Sequence, residues 1–220
     1  RPEIHRPPDD GRPWEPPGAV FPPRLEGGHR QLWTWETGGD GHVYVLSTGF
    51  QRDKGVILMR VREEHLGDPD VGRWQTWGYR RGAWGWGNPT TIVLPGRIGE
   101  MYLRRCEDFW TLTYFDAEHY RIDCLTFPHI GADLMDRTVT AHTTLVPGCA
   151  WGDESDGTDP ATGPARVAQL YCGCPVPGST PEEWHIVVSQ WNTHDSAAGP
   201  AGWPYRSMQF TGSIPRPPGR

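Results

Sequence analysis

The chain is poor in charge, poor in helical periodicity and without any long apolar run. Charged residues make up 22% of its 220 positions, and no stretch beyond about 12 residues keeps the spacing that would pack one face of a helix. Glu63–Leu66 is the one place where a single helical turn is expected. No apolar run approaches the length needed to span a bilayer, so no membrane partner is expected. Lysine and arginine total 21 against 27 acidic residues, a net charge of −6. They form no basic stripe, which argues against nucleic acid as a partner and leaves a neutral, polyhydroxylated ligand as the better fit. A nucleophilic serine elbow, a phosphate loop, a dinucleotide fingerprint and a kinase signature are all missing, and no cofactor is expected. The first residues lack the charged-then-apolar layout of a signal peptide.

What is abundant is glycine (28), proline (23) and tryptophan (12). That mixture favours short strands joined by turns over helices. The strand signal is strongest in GHVYVLSTGFQRDKGVILMRV at 41–61. Two apolar runs, 43–48 and 56–61, flank a polar bend at 49–55 carrying Arg52 and Asp53. The pattern recurs in FWTLTYFD-AEH-YRIDCLTF from Phe109, and in WHIVVSQWN followed after a longer gap by YRSMQF from Trp184. Each copy follows a further strand-like run: QLWTW at 31–35, GEMYLRR at 99–105 and RVAQLYCG at 166–173. Periods of roughly 66 and 75 residues suit a unit of four strands with long loops. An all-β fold is expected, a β-propeller of four-stranded antiparallel blades with three blade-like repeats visible, the second with its outer strand at 139–146. The blades occupy 29–213, between a proline-rich arm at 1–28 and a proline-rich tail at 214–220.

Several groups carry two readings. Trp74, Trp77, Trp84 and Trp86 can wedge between sheets, or Trp84 and Trp86 can offer flat faces to sugar rings. The five cysteines at 106, 124, 149, 172 and 174 read best as free thiols, with bridges Cys106–Cys124 and Cys149–Cys172 or Cys149–Cys174 as alternatives. A zinc set would have to come from His142, Cys149, Cys172 and Cys174, whose spacing fits poorly. The acidic loop 152–164, with Asp153, Glu154, Asp156 and Asp159, lacks the spacing of a helix–loop–helix calcium site. No metal is expected.

Three residue groups resemble one family: YVLSTGFQRDKGVILMRV at 44–61, IGEMYLRR at 98–105 and IVVSQWN at 186–192, with YCGCPVP at 171–177 before the last. In this order they resemble the later part of the endo-D-arabinanases of actinobacteria and their phages, a family long labelled a domain of unknown function. The resemblance covers roughly 29–212. It implies a five-bladed propeller glycoside hydrolase acting on the D-arabinan of mycobacterial-type cell walls, outside the cell or on a virion tail. Two blades would then be supplied by further polypeptide or another virion protein, since Asp9 and Asp10 sit among prolines and make a poor catalytic pair. Glycoside hydrolysis usually takes two carboxyl groups. Glu100, in the family-like Gly-Glu pair between apolar Ile98 and Met101, is the first catalytic candidate, and Asp53 is the second. Arg52, Trp84, Trp86, Tyr171, Gln190, Trp191 and Asn192 are the substrate-binding candidates, while Asp116, His119 and His185 read as ordinary turn and strand residues. A non-catalytic carbohydrate-binding module and a structural or receptor-binding virion part are the competing expectations.

Overall fold

The computed structural model describes residues 3–4, 19–68, 70–106, 108–158, 161, 163–191 and 205–219. They fall into two compact units, Arg1–Gly96 and Arg97–Arg220, both all-β. Among the described residues there is no α-helix, in keeping with the glycine and proline content. Glu63–His65 forms a single 3-10 turn.

In the first unit β1 (Glu3–Ile4) pairs with β2 (Ala19–Val20). The strands β3 (Leu32–Thr37), β4 (His42–Thr48) and β5 (Val56–Arg62) then form an antiparallel meander. Every residue of β4 from Val43 to Thr48 is buried, which is why that run reads as continuous apolar sequence rather than alternation. The outer edge of β5 is shared by two strands. Its second half pairs with β6 (Gln75–Arg80), which returns as the hairpin strand β7 (Ala83–Trp86), and its first half pairs with β8 (Ile92–Leu94). Phe21, from the proline-rich beginning, is fully buried beside Val43, Ile57 and Met59. It meets Trp33 and Trp74 edge-on, with ring centroids 4.6 and 5.2 Å away. Full burial of such a side chain contributes roughly 1.5–3 kcal/mol.

The second unit holds two sheets. One runs β9 (Ile98–Arg105), β10 (Trp110–Asp116), β11 (Arg121–Phe127), β12 (Ala141–Cys149), all antiparallel, with β13 (Val167–Ala168) added in parallel. The other is the meander β14 (Leu170–Pro175), β15 (Trp184–Trp191), β16 (Tyr205–Gly212). The repeat expected from sequence is present as three meanders beginning at β3, β9 and β14, but among the described residues their sheets hold six, five and three strands rather than four each. Two boundaries differ. The outer strand of the second meander starts at Ala141 rather than 139, because the Asp136 carboxylate and carbonyl hold Thr138 and Thr140 in a turn. The run RVAQLYCG is not one strand: Gln169 takes φ 51°, breaking it so that Val167–Ala168 joins β12 and Leu170 begins β14.

The two sheets of this unit share a core of Phe115, Ile122 and Val146 against Leu170, Ile186 and Val188. Gly173 makes their approach feasible. A Cβ there would overlap Ile122 Cγ2 and lie 3.3 Å from Thr113 Cγ2. Gly173→Ala is expected to lower stability by about 1–3 kcal/mol through overpacking, read as a shifted denaturant midpoint. An unchanged midpoint would show that the sheets separate freely.

Candidate functional site

Strand direction decides which residues can meet. Within each meander the first strand runs one way and the second returns, so the start of the first lies beside the end of the second. The pairings Leu32↔Thr48, Ile98↔Asp116 and Leu170↔Gln190 mark that end. Arg52 and Asp53 follow Thr48, Glu100 follows Ile98, and Tyr171 and Trp191 flank the Leu170–Gln190 pair. Each of these candidates thus sits at the same end of its own meander.

In the first unit Thr48 ties the bend closed, its hydroxyl 2.8 Å from Lys54 O and 3.1 Å from Gly55 O. Gln31 fixes it from the side, accepting from Phe50 N at 3.0 Å and donating to Pro23 O at 2.6 Å. Arg52 is held in the left-handed region at φ 55°, a conformation that costs about 1–2 kcal/mol for a residue with a Cβ. The Asp53 carboxylate is half exposed, 3.8 Å from the Lys54 ammonium. The bend thus presents a half-exposed carboxylate beside the partly exposed Arg52.

The Trp-rich stretch resolves into one aromatic face. The register Trp77↔Trp86 and Tyr79↔Trp84 puts four rings on one side of the β6–β7 hairpin, since side chains alternate. Trp77 and Trp84 stack within 16° of parallel, centroids 6.1 Å apart, and Trp86 is capped by the Arg60 guanidinium at 4.3 Å. The opposite face carries Gly78, whose Cβ would overlap the Pro89 carbonyl, and is closed by Asn88 donating to Gly78 O at 3.0 Å. Trp84 and Tyr79 are 42% and 51% exposed, so they do not fill a core. Trp74, buried against Phe21 and Trp33, does.

In the second unit Glu100 lies on β9, the terminal strand of its sheet, beside a β-bulge between Tyr114 and Asp116. It is partly exposed, and alternation places it on the face that carries Tyr102. The Tyr102 hydroxyl lies 3.0 Å from Cys172 Sγ. Burial, with the Cys172 and Cys174 thiols close by, pushes the phenol above its ordinary range. Cys172 is itself the bulged residue of β14, at φ 58°. All five cysteines are free thiols, so none of the candidate bridges is formed.

Tyr171 and Trp191 meet edge-on at 6.5 Å, and Trp191 is 52% exposed. Gln190 has a different task from holding substrate. It is buried, and its amide donates to Ala168 O at 2.8 Å and to Glu154 Oε1 at 3.0 Å. One bond holds β13 and the other the acidic loop, and Arg206 approaches the same Glu154 oxygen at 3.9 Å. Glu154, Asp156, Arg206 and Phe210 are among the residues lining an open groove of about 740 Å³. Sequence reading had Glu154 only as one of four loop acids; its long-range pairing to Gln190 was not visible. Asn192 lies outside the described residues.

A second polar network was missed altogether. Asp123 is fully buried in β11, yet accepts from Arg121 Nε at 2.9 Å, His142 Nε2 at 2.8 Å and Thr144 Oγ1 at 2.8 Å. Burial alone would raise its pKa, but these partners win and hold the carboxyl below its usual range. His142 is thus committed to Asp123. Among the described residues no cluster of His, Cys, Asp or Glu fits a metal ion. Asp116 caps the β10–β11 turn, accepting from Glu118 N and His119 N, the hairpin role expected of it.

These features define a class: an all-β protein of repeated antiparallel meanders, each with polar or aromatic candidates at the same end of its own strands. The chain belongs to the family described as "Domain of unknown function (DUF4185)", whose model matches residues 2–211. It is 31% identical over 170 residues to the "Uncharacterized 35.9 kDa protein in asd 3'region" of Mycolicibacterium smegmatis, covering 77% of this chain and 47% of that protein. It is also 31% identical over 189 residues to "Notoamide biosynthesis cluster protein J'" of Aspergillus versicolor, covering 84% and 46%. The chain therefore spans about half the length of these relatives. Among solved structures, a "putative hydrolase" from Bacteroides ovatus is similar with a TM-score of 0.55 at 16% identity, over 81% of this chain and 43% of that one. That likeness concerns the fold.

Proposed function

We propose that the chain is part of a β-propeller glycosidase that binds and cleaves a cell-wall polysaccharide, with D-arabinan as the substrate and endo-hydrolysis as the reaction. The observation that carries this reading is the shared strand end: Arg52 with Asp53, Glu100, and Tyr171 with Trp191 each stand there in successive meanders. In a propeller each meander is a blade, with β3, β9 and β14 as the inner strands. The ring is closed by further blades of a longer polypeptide or by a partner, and the site of action is outside the cell or on a virion tail.

Glycosidic cleavage takes one carboxyl group to protonate the leaving oxygen and another to activate water or attack carbon. Glu100 is assigned the first of these roles. Asp53 is assigned the second, with Glu154 the local alternative within the same unit as Glu100. Arg52 orients hydroxyls or a carboxylate through its fork of N–H donors, and Tyr171 and Trp191 offer faces to the sugar rings.

A second reading, non-catalytic carbohydrate binding, is favoured by the hairpin face on which Tyr79 and Trp84 are exposed beside the half-buried Trp86. Incubation with purified arabinan separates the two. A ladder of oligosaccharides supports the endo-glycosidase. Retention on the polymer without release sinks it and leaves the binding module. Trp84→Ala and Trp86→Ala are each expected to weaken retention about 2- to 10-fold, measured by affinity electrophoresis with folding checked by circular dichroism.

A further inference from the structure

A cavity of about 220 Å³ opens at the other end of the second unit's strands, away from Glu100. It lies between the end of β9, the loop 176–183 and the segment after β16, and its lining includes Arg104, Arg105, Cys106, Phe109, Trp184 and Arg216. At about 30 Å³ per water molecule, its volume is that of one sugar ring rather than of a lone ion.

Its charge is unbalanced toward the inside. Arg216, at the mouth, is met by Glu182 at 3.2 Å and Asp108 at 3.5 Å, all three side chains substantially exposed. Arg104 is half-buried and donates Nη1 to Val176 O at 3.1 Å. Among the described residues no carboxylate lies within ion-pair distance of it. One carbonyl satisfies one of five N–H donors and none of the charge, and a partly desolvated cation without a counter-ion is costly. A second donor in the lining is also unsatisfied: Trp184 is 2% exposed, and its indole N–H has no hydrogen-bond partner among the described residues. Phe109 lies beneath the Arg216 guanidinium at 5.5 Å. Burial pushes the Cys106 thiol up, opposed by Arg104, Thr111 and Arg216, and Cys106 lines the cavity with both arginines. The thiol serves as a reporter of occupancy.

We propose that this cavity binds an oxyanion carried on a ligand of monosaccharide size, the carboxylate of a uronic acid or a phosphate ester. Arg104 is the inner anchor and Arg216 the outer one. This site is independent of glycan cleavage at the opposite strand end.

The test is calorimetric titration with glucuronate, glucose 1-phosphate, inorganic phosphate and glucose, together with alkylation of each thiol by iodoacetamide followed by peptide mass spectrometry. Glucuronate or glucose 1-phosphate should bind and slow alkylation of Cys106 but not of Cys149, and neutral glucose should do neither. Whichever of the two binds more tightly identifies the source of the oxyanion. Arg104→Gln should weaken binding about 10- to 100-fold, the loss expected for a charge-assisted hydrogen bond. The exposed Arg216→Gln should weaken it less, and serves as the variant that leaves the core untouched. Failure of both sugar anions to protect Cys106 overturns the proposal. So does equal protection by glucose, tighter binding of inorganic phosphate than of either sugar anion, or unchanged affinity in both arginine variants.

Discussion

Asp123→Ala is expected to destabilise the second unit by about 3–5 kcal/mol, the cost of breaking a buried ionic network by removing one partner. The carboxylate is fully buried between Arg121, His142 and Thr144. Its removal leaves their donors facing a protein wall. Asp123→Asn keeps the shape and one acceptor, so its cost should be smaller, about 1.5–3 kcal/mol. The pH dependence follows from the direction of the shift. Because the folded carboxyl titrates below its unfolded value of about 3.9, its stabilisation is fully present above that pH. It is lost as pH falls through the lowered folded value. The gap between the parent protein and Asp123→Ala should therefore be widest near neutrality and close only under strong acid. Urea denaturation of both at neutral and acidic pH checks this. A gap under about 0.5 kcal/mol at neutral pH would mean the network is ornamental to folding.

The same residue shows where sequence reading stops. The meanders were legible because alternation, apolar runs and glycine turns are local signals; β4 and β5 appear almost where the runs lie. Asp123 sits inside RIDCLTF, and a lone acid within an apolar strand already demands a partner. Arg121 is only two residues away, but His142 and Thr144 come from β12, 19 and 21 residues away, and nothing local announces a pairing at that distance. Gln190 failed in the same way: read as a sugar-binding amide, it is spent on Ala168 and Glu154. The division of β5's outer edge between β6 and β8 was hidden because both are short and either half looks like loop. Wedge and sugar platform were both open for Trp84 and Trp86; the β6–β7 hairpin exposes Trp84 and leaves Trp86 half-buried under Arg60, while Trp74 is set apart only by Phe21, fifty-odd positions earlier in the chain, filling the space beside it.

Glu100→Gln is expected to reduce arabinan cleavage by about 10²- to 10⁴-fold, the usual contribution of a positioned general acid or base, while leaving polymer binding within a few-fold. Glutamine keeps the length and planarity of the side chain. It also keeps a carbonyl acceptor for whatever the carboxylate touches, so β9 should retain its register with β10. The chemistry is what it lacks, because an amide cannot deliver a proton to a leaving oxygen. A drop in kcat with little change in KM would place Glu100 in the transition state rather than in ground-state binding. If instead binding and cleavage fell together with the melting temperature, the residue would be holding the bulge beside Tyr114 and Asp116, and the acid would have to be sought elsewhere. Asp53→Asn and Glu154→Gln separate the remaining role: the second catalytic carboxyl should match the Glu100→Gln loss within a factor of about ten. The other should lower cleavage only through binding, since Asp53 stands on a solvated bend and Glu154 is already engaged by Gln190 and Arg206.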